Sequence, residues 1–207
     1  MNSSKQMAEA IICQIDKSRQ TQLPYLVALD GRCASGKTTT AALIAEKYQK
    51  EGLPCDIVHM DDFFLQPNQR TLERLAEPGG NVDYERVEAE VLQPVKLGQG
   101  IVYRRFDCSR MALGEEIAVR PGKLLIVEGA YSCHPRLRDY FDLRIFVSID
   151  AKTQMERIIS RNGIERAQMF RDRWIPMEEN YIRACRVSEC CQMHFDVKDA
   201  HVQADEK

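Results

Sequence analysis

The chain has 207 residues, of which 29 are lysine or arginine and 31 are aspartate or glutamate, giving a formal net charge of −2. This length suits one domain with a substantial core, and the balanced charge argues against a broad basic surface for nucleic acid. No apolar run approaches the length of a membrane span, and the N-terminal residues lack the apolar core of a signal peptide. We therefore expect a cytoplasmic protein that contacts neither membranes nor nucleic acid.

The predicted elements of the first part of the chain are a helix over 5–20, a strand over 25–30, a helix over 38–48 and a strand over 55–60. Residues 66–82 are polar and rich in helix-breaking residues, and such long excursions in α/β proteins often carry function.

The second part continues with a helix over 83–92, two short strands outside the main sheet at 101–106 and 116–119, strands over 124–127 and 143–149, helices over 151–159 and 178–190, and a short strand over 195–197. A polar tail, expected to be frayed, follows. Strands that alternate with helices predict an α/β fold with a mainly parallel, five-stranded sheet covered on both faces.

The segment Gly31–Thr38 fits the pattern G-x-x-x-x-G-K-[ST] and lies between a predicted strand and a predicted helix. In that context the backbone N–H groups of the loop and the positive end of the helix face an anion together. Lys37 is expected to reach the β and γ phosphates of a nucleotide, and the Thr38 hydroxyl is expected to ligate Mg²⁺. The predicted nucleotide-binding set is Gly31, Ala34, Ser35, Gly36, Lys37, Thr38 and Thr39.

The eight cysteines contain no C-x-x-C pair, and the four histidines add no zinc-type spacing. We expect reduced thiols. Cys33 lies inside the loop, where positive surroundings would favour a reactive thiol, although a packing role is the simpler interpretation.

Acidic residues follow two of the predicted strands, and ligands of open α/β sheets bind at the carboxyl ends of strands. Asp61 is our candidate for the base that deprotonates an acceptor alcohol, with Asp62 as the second choice. The alternative for either aspartate is a cap on the following turn. Glu128 follows four apolar residues and needs a metal or a cation to be buried, so we expect it near Mg²⁺ or Lys37; a purely structural salt bridge is the alternative.

Asp83 is explained by its position as the N-cap of the helix that begins at Tyr84. Arg157 and Arg161 lie four residues apart, either facing solvent or closing over the phosphates to stabilise transition-state charge. Arg166, Arg171 and Arg173 are weaker candidates for the same task. Trp174 is most simply a packing anchor.

Together, these residues resemble the uridine kinase and phosphoribulokinase family of P-loop kinases, from about residue 24 to 198. The matching motifs are Gly31–Thr38, Met60–Phe64, Asn81–Asp83, Phe106–Asp107, Ile126–Gly129 and the arginines after Ala151. Met60–Phe64 and, loosely, Trp174–Met177 are also similar to nicotinamide riboside kinases.

The resemblance implies a three-layer α/β/α fold over residues 1–207, with a substrate-binding insertion at about 66–120 and a small lid at about 157–173. It also implies that Asp61 is the base, that Asp83 binds ribose hydroxyls, that Glu128 helps to hold Mg²⁺ and that Arg157 and Arg161 belong to the lid. Phe106 is the third predicted substrate-binding residue, with Asp61 and Asp83. It begins the segment that stands where uridine kinases have Tyr-Asp-Phe and a later histidine that contacts the base. No histidine follows Phe106 closely here, so the segment departs from the family pattern.

The expected activity is transfer of the γ-phosphoryl group of ATP, with Mg²⁺, to a hydroxyl group of a small molecule. The first candidate acceptor is the 5′-hydroxyl of a nucleoside such as uridine or cytidine. Other candidates are nicotinamide riboside, pantothenate or a sugar phosphate, and a sugar phosphate would need an extra anion site, for which Arg70, Arg74 and Arg86 are candidates. A non-catalytic ATP sensor is the rival from another class, and a homo-oligomer is possible.

Overall fold

The computed structural model describes residues 3–18, 24–120, 122 and 124–198, and the backbone of 201–206. The strands are β1 (Tyr25–Gly31), β2 (Cys55–His59), β3 (Ile101–Asp107), β4 (Ala112–Val119), β5 (Leu124–Glu128), β6 (Leu143–Ile149), β7 (Met193–Lys198) and β8 (His201–Glu206). The α-helices are α1 (Ser3–Ser18), α2 (Lys37–Lys50), α3 (Leu72–Ala76), α4 (Tyr84–Arg86), α5 (Gln93–Lys96), α6 (Ala151–Asn162), α7 (Ile164–Met169), α8 (Ile175–Ala184) and α9 (Val187–Cys190).

The main sheet has the order β2-β5-β1-β6-β7-β8. Its first five strands pair in parallel, at the positions that the apolar runs predict, which confirms the α/β fold class. The five parallel strands are those predicted, and a sixth strand, β8, extends the sheet by pairing antiparallel with β7 in the tail for which fraying is the prediction. The tail is polar and has no apolar strand pattern, so its strand depends on the backbone ladder that the edge of β7 offers.

Strands β3 and β4 lie outside the main sheet, as predicted; they form an antiparallel pair, and β4 begins four residues before the predicted strand. The helix predicted over 83–92 begins as α4, continues as a π-helix over Val87–Leu92 and ends as α5. The helix predicted over 178–190 is wrong in its continuity. It begins earlier, and it is interrupted before α9 at Arg186, whose φ of +52° lies in the left-handed region.

Each face of the main sheet carries its own hydrophobic core, because successive side chains of a strand point to opposite faces. On one face, α1 and α2 pack over Val27, Leu29 and their neighbours on adjacent strands. On the other face, Leu26 and Ala28 pack with the helical segment around Val87 and with α8. These two cores give the predicted three-layer arrangement. Residues 19 and 20 of the predicted first helix lie outside the described residues.

The predicted lid range, 157–173, contains the end of α6, the whole of α7 and most of a π-helix over Phe170–Trp174. Among the described residues, no helix combines the length and the apolar character that crossing a membrane requires.

The wholly buried carboxylate of Asp30 joins three parts of the chain at the end of β1. It accepts hydrogen bonds from the backbone N–H groups of Gly31, Tyr131 and Cys133 at 2.6, 3.2 and 2.7 Å. The hydroxyl of Tyr181 in α8 donates a further bond of 2.7 Å. Burial raises the pKa of Asp30, and these donors and the charge of Lys37 oppose that rise by favouring the carboxylate.

Replacing Tyr181 with Phe removes the hydroxyl donor while keeping the buried ring, so one oxygen of Asp30 loses a partner. We expect the free energy of unfolding to fall by about 1–3 kcal/mol, as for other buried groups deprived of a hydrogen bond. Urea unfolding of both proteins measures the difference.

Tyr140→Phe is the matched control, because its hydroxyl donates to Glu88 at the partly exposed surface. The Asp30 network would not have the stabilising role described here if the two variants lost equal stability.

Candidate active site

The loop between β1 and α2 has a backbone that depends on glycine at two positions. Gly31 has φ +136°, and a Cβ atom there would lie 2.0 Å from the backbone oxygen of Val147 in β6. Gly36 has φ +101°, and a Cβ atom there would lie 2.8 Å from Ser4 Oγ at the start of α1. Ala34, with φ +60°, also adopts the left-handed conformation, which is uncommon for a residue with a side chain and recurs at functional sites.

The Lys37 ammonium group lies beneath this loop and is almost completely buried. It donates hydrogen bonds to the backbone oxygens of Gly31 (2.7 Å) and Arg32 (2.8 Å). No carboxylate within the described part of the chain lies within ion-pair distance of its Nζ. Its charge is therefore held by neutral carbonyls, an arrangement that suits an anion bound at the loop.

A cavity of about 950 Å³ opens above the loop and brings most of the predicted site residues together. The predicted residues that line it are Ala34, Gly36, Lys37, Thr38, Thr39, Asp61, Phe106, Glu128, Arg157 and Arg161. Three others, Gly31, Ser35 and Asp83, do not line it. Gly31 and Ser35 belong to the loop behind the cavity surface, where the buried Ser35 hydroxyl has no hydrogen-bond partner among the described groups.

The two aspartates that follow β2 have different environments. Asp61 is exposed to the cavity. Asp62 is buried, forms an ion pair with Arg105 (2.8 Å) and accepts a hydrogen bond from the hydroxyl of Tyr103 (3.0 Å). The geometry therefore separates the two candidates for the base: Asp61 faces the cavity, and Asp62 is engaged in holding β3 against the end of β2.

The carboxyl of Asp61 is exposed to the cavity, but the many protein atoms around it displace part of its hydration shell. This loss of hydration is the largest influence on the pKa of Asp61 and raises it, and repulsion from Glu128 adds to the rise. The positive charges of Lys37 and of two other neighbours oppose it. A carboxylate with a raised pKa is a better proton acceptor than an ordinary one.

Glu128 ends β5 with its carboxylate buried at the floor of the cavity. Its Oε1 accepts a hydrogen bond from Thr38 Oγ1 (3.0 Å) and another from His59 Nδ1 (2.6 Å). The bond to His59 is the largest influence on the pKa of that histidine and raises it. His59 was not among the predicted site residues, although it lies two residues before Asp61 at the same strand end.

The Thr38 hydroxyl and the Glu128 carboxylate are thus close enough to face one cation. Among the described residues, no group of three or more His, Cys, Asp or Glu side chains is placed to coordinate a metal ion. Mg²⁺ in nucleotide sites usually takes one or two protein oxygens, with phosphates and waters completing its shell. A hydroxyl and a carboxylate at the end of the loop fit that requirement.

Asp83 does not face the cavity, so the predicted contact with ribose hydroxyls has no support in this geometry. One carboxylate oxygen accepts from the backbone N–H of Arg86 at 3.1 Å, which is the predicted N-cap. The other accepts from the Gln69 side chain at 2.6 Å. Asn81, two residues earlier, lines the cavity instead.

The arginines of the predicted lid range divide into two groups. Arg157 donates to the backbone oxygen of Ala34 in the loop (3.1 Å), and Arg161 is close enough to lower the pKa of Asp61. Arg166 and Arg173 also line the cavity. Arg171 does not, since it is exposed and pairs with its neighbour Asp172.

Helix α8 holds the loop through two glutamates that were not among the predicted site residues. Glu178 accepts a hydrogen bond from the backbone N–H of Cys33 (2.6 Å), and Glu179 pairs with Arg32 (2.5 Å). Burial raises the pKa of Glu178 to about 7, and attraction to Lys37 moderates the rise. These contacts join residues almost 150 positions apart, and no local pattern reveals them.

All eight cysteines are free, and Cys33 is partly buried in the loop. Burial raises the pKa of Cys33 to about 12, and repulsion from Glu178 contributes. A thiol with so high a pKa is a poor nucleophile at neutral pH, which favours the packing role over the reactive one.

A strand, a glycine loop with a buried lysine, a helix and a carboxylate-lined cavity at the carboxyl ends of parallel strands define a P-loop nucleotide-binding protein. A model of the Phosphoribulokinase / Uridine kinase family matches residues 26–183, well over half of the chain. The chain therefore belongs to this family of P-loop kinases.

Two curated relatives illustrate the similarity. The chain is 28% identical over 152 residues to uridine kinase-like protein 5 of Arabidopsis thaliana, a match that covers 70% of this chain and 32% of that protein. It is 28% identical over 150 residues to a uridine kinase of Brevibacillus brevis, covering 70% of this chain and 69% of that protein. The chain thus matches only about a third of the length of the plant relative.

Solved structures share the fold. A possible uridine kinase from Bacillus stearothermophilus superposes with a TM-score of 0.71 at 17% identity, covering 92% of this chain and 98% of that one. A D-glycerate 3-kinase from Cryptococcus neoformans superposes with a TM-score of 0.67 at 16% identity, covering 98% and 99%. At these identities the likeness shows the fold alone.

The raised pKa of Glu178 leads to a pH-dependent stability. Between pH 4.5 and about 7 the folded protein keeps a proton that the unfolded chain releases, so the contribution of Glu178 to the stability falls as pH rises through this window. Glu178→Gln keeps an acceptor for the Cys33 N–H and cannot ionise. Relative to the wild type, the variant should therefore gain up to about 3 kcal/mol between pH 5 and pH 8.

Urea unfolding at both pH values measures this change, and Glu179→Gln, at the neighbouring partly exposed position, is the control. An equal stability difference between the Glu178→Gln variant and the wild type at pH 5 and pH 8 would show that the pKa of Glu178 is not raised.

Proposed function

We propose that this protein transfers the γ-phosphoryl group of ATP to a hydroxyl group of a small molecule. The observation that carries the proposal is that the loop lysine, Lys37, lines the same cavity as Asp61, a carboxylate without an ion-pair partner among the described residues. Phosphoryl transfer needs the phosphates held and the acceptor oxygen placed in line with them. The family membership supports the same activity.

In the proposed step, the acceptor oxygen forms a bond to the γ-phosphorus as the bond from that phosphorus to the β,γ-bridging oxygen breaks. The proton of the acceptor hydroxyl passes to the Asp61 carboxylate, and ADP leaves. Lys37 and the N–H groups of the loop hold the β and γ phosphates, where the growing negative charge is stabilised. Arg157, anchored to the loop at Ala34, lies on the nucleotide side of the cavity.

Thr38 and Glu128 are the residues that would hold Mg²⁺. The bound cation would supply positive charge that neutralises the phosphates of the nucleotide. Glu128 also accepts a hydrogen bond from His59 Nδ1 (2.6 Å), so the imidazole fixes the orientation of the carboxylate.

A nucleoside remains the acceptor predicted from the sequence, and the names of the curated relatives support it. The cavity also offers aromatic side chains at Phe64 and Phe106 against which a base would stack. The engagement of Asp83 with Gln69 and with the backbone of Arg86 counts against the sugar contact that this prediction includes. The other residues that line the cavity therefore determine which class of acceptor molecule binds.

A non-catalytic ATP sensor is the other candidate. It would leave Asp61 without a role, whereas Asp62 beside it has two structural partners. The contrast between the two neighbours favours the enzyme.

Asp61→Asn should reduce phosphoryl transfer by about 10² or more, because the amide cannot accept the acceptor proton. ADP release in the presence of ATP, Mg²⁺ and a panel of nucleosides, pantothenate, nicotinamide riboside and sugar phosphates measures transfer. Asp62→Asn is the matched control and should lose stability more than it loses turnover. A fully active Asp61→Asn variant would remove Asp61 from the mechanism.

Lys37→Ala should lose most affinity for ATP, since the loop then lacks its buried cation. Titration with a fluorescent ATP analogue measures binding, and the Asp61→Asn variant should bind the analogue normally. Normal ATP affinity without Lys37 would show that the loop does not hold the phosphates.

A further inference from the structure

Arg70 follows Asp61 in the sequence and lines the same cavity. Its Nε donates to the backbone oxygen of Leu65 (2.9 Å), and its guanidinium carbon lies 5.5 Å from the centroid of the Phe106 ring. The side chain is partly buried and lines the cavity. It is thus fixed in place by a carbonyl, which takes its Nε, and by an aromatic ring.

The other partly buried arginines of the same insertion have carboxylate partners. Arg74 pairs with Glu85 (2.6 Å), and Arg86 pairs with Glu90 (2.7 Å). For Arg70, no carboxylate within the described ranges lies within ion-pair distance. Since a partly buried guanidinium without a counter-charge is costly, this exception indicates a site built for a charge that the chain does not itself supply.

A second cation faces the same space. Arg173, next to Trp174 at the far end of the predicted lid, lines the cavity, and its guanidinium carbon lies 4.8 Å from the centroid of the indole ring. It also has no ion pair with any described carboxylate. Burial is the main cause that lowers the pKa of Arg70, and the positive charge of Arg173 lowers it further. An anion between the two guanidinium groups would remove this repulsion.

The position of Arg70 assigns the anion to the acceptor and not to the nucleotide. The loop has its own cations in Lys37 and Arg157. Arg70 instead shares its surroundings with Asp61, since the charges of both act on the thiol of Cys108. An acceptor molecule whose hydroxyl group contacts Asp61 therefore also lies near Arg70.

We propose that the acceptor is a small alcohol that carries a carboxylate or phosphate group, and that Arg70, together with Arg173, binds this group. The inference rests on the proposed kinase activity and deepens it by naming the substrate class. A guanidinium group binds either anion through two parallel hydrogen bonds, so the structure assigns the shared anionic chemistry. A neutral nucleoside lacks such a group.

The test is a binding titration that does not depend on turnover. Trp174 is the only tryptophan of the chain and lines the cavity, so its fluorescence reports occupancy. The protein is first saturated with Mg²⁺ and a nonhydrolysable ATP analogue, which excludes added anions from the loop. Glycerate is then compared with glycerol, ribose 5-phosphate with ribose, and uridine serves as the neutral nucleoside.

In at least one pair, the acid-bearing member should bind about 10- to 100-fold more tightly than its uncharged partner, the range expected for charge-assisted hydrogen bonds. A preference in the first pair identifies a carboxylate, and one in the second pair identifies a phosphate. Arg70→Met should abolish the preference while leaving affinity for the ATP analogue unchanged, and Arg70→Lys should keep part of it. Arg110→Met, at an exposed arginine of the β3–β4 turn, is the control and should keep all of it.

Equal binding of both members of each pair, or a preference that survives Arg70→Met, would overturn the proposal. The result is independent of the proposed activity, because the Asp61→Asn variant should keep the preference while losing phosphoryl transfer. Failure to release ADP with any acceptor, together with an intact preference, would reject the kinase and keep the anion site. Rapid turnover of uridine without any preference would do the reverse.

Discussion

The buried carboxylate of Asp30 is the constraint on which the geometry of the site depends. It lies at the end of β1, directly before the loop between β1 and α2, which we call the phosphate loop. It accepts hydrogen bonds from the turn after β5 and from α8. Each of these segments carries a group of the candidate site: the loop itself, Glu128 just before the turn, and Glu178 on the helix. A buried carboxylate is tolerated only when several donors surround it. If the three segments separated, the buried charge of Asp30 would lose its hydrogen-bond donors.

The pairing of charges likewise distinguishes structural from functional groups in the cavity. Asp62 and Arg74 are satisfied by opposite charges of the chain: the Asp62 pair joins the insertion to the end of β2, and the Arg74 pair lies within the insertion. Asp61 and Arg70 lie in the same surroundings and have no such partners among the described residues. A folded protein seldom leaves charged groups near its interior uncompensated unless a ligand completes them, and these two groups border one cavity with Lys37.

Much of the fold was predictable because its signals are local. The apolar runs identified the five parallel strands, and β6 begins and ends at the predicted residues, 143 and 149. The strand β8 was missed because its polar sequence has no strand pattern and its pairing with β7 is a backbone interaction. The break before α9 was missed because Arg186 adopts a left-handed conformation that arginine rarely takes.

The sequence alone determined the phosphate loop, since its glycines, lysine and threonine lie within eight residues, between a strand and a helix that each have their own periodicity. It also selected Asp61 and Glu128, because the carboxyl ends of parallel strands meet at one edge of a sheet. Only the tertiary structure decided which charges are neutralised. His59 meets Glu128 across 69 residues and Arg32 meets Glu179 across 147, and such pairs are set by the packing of distant elements, which local patterns do not record.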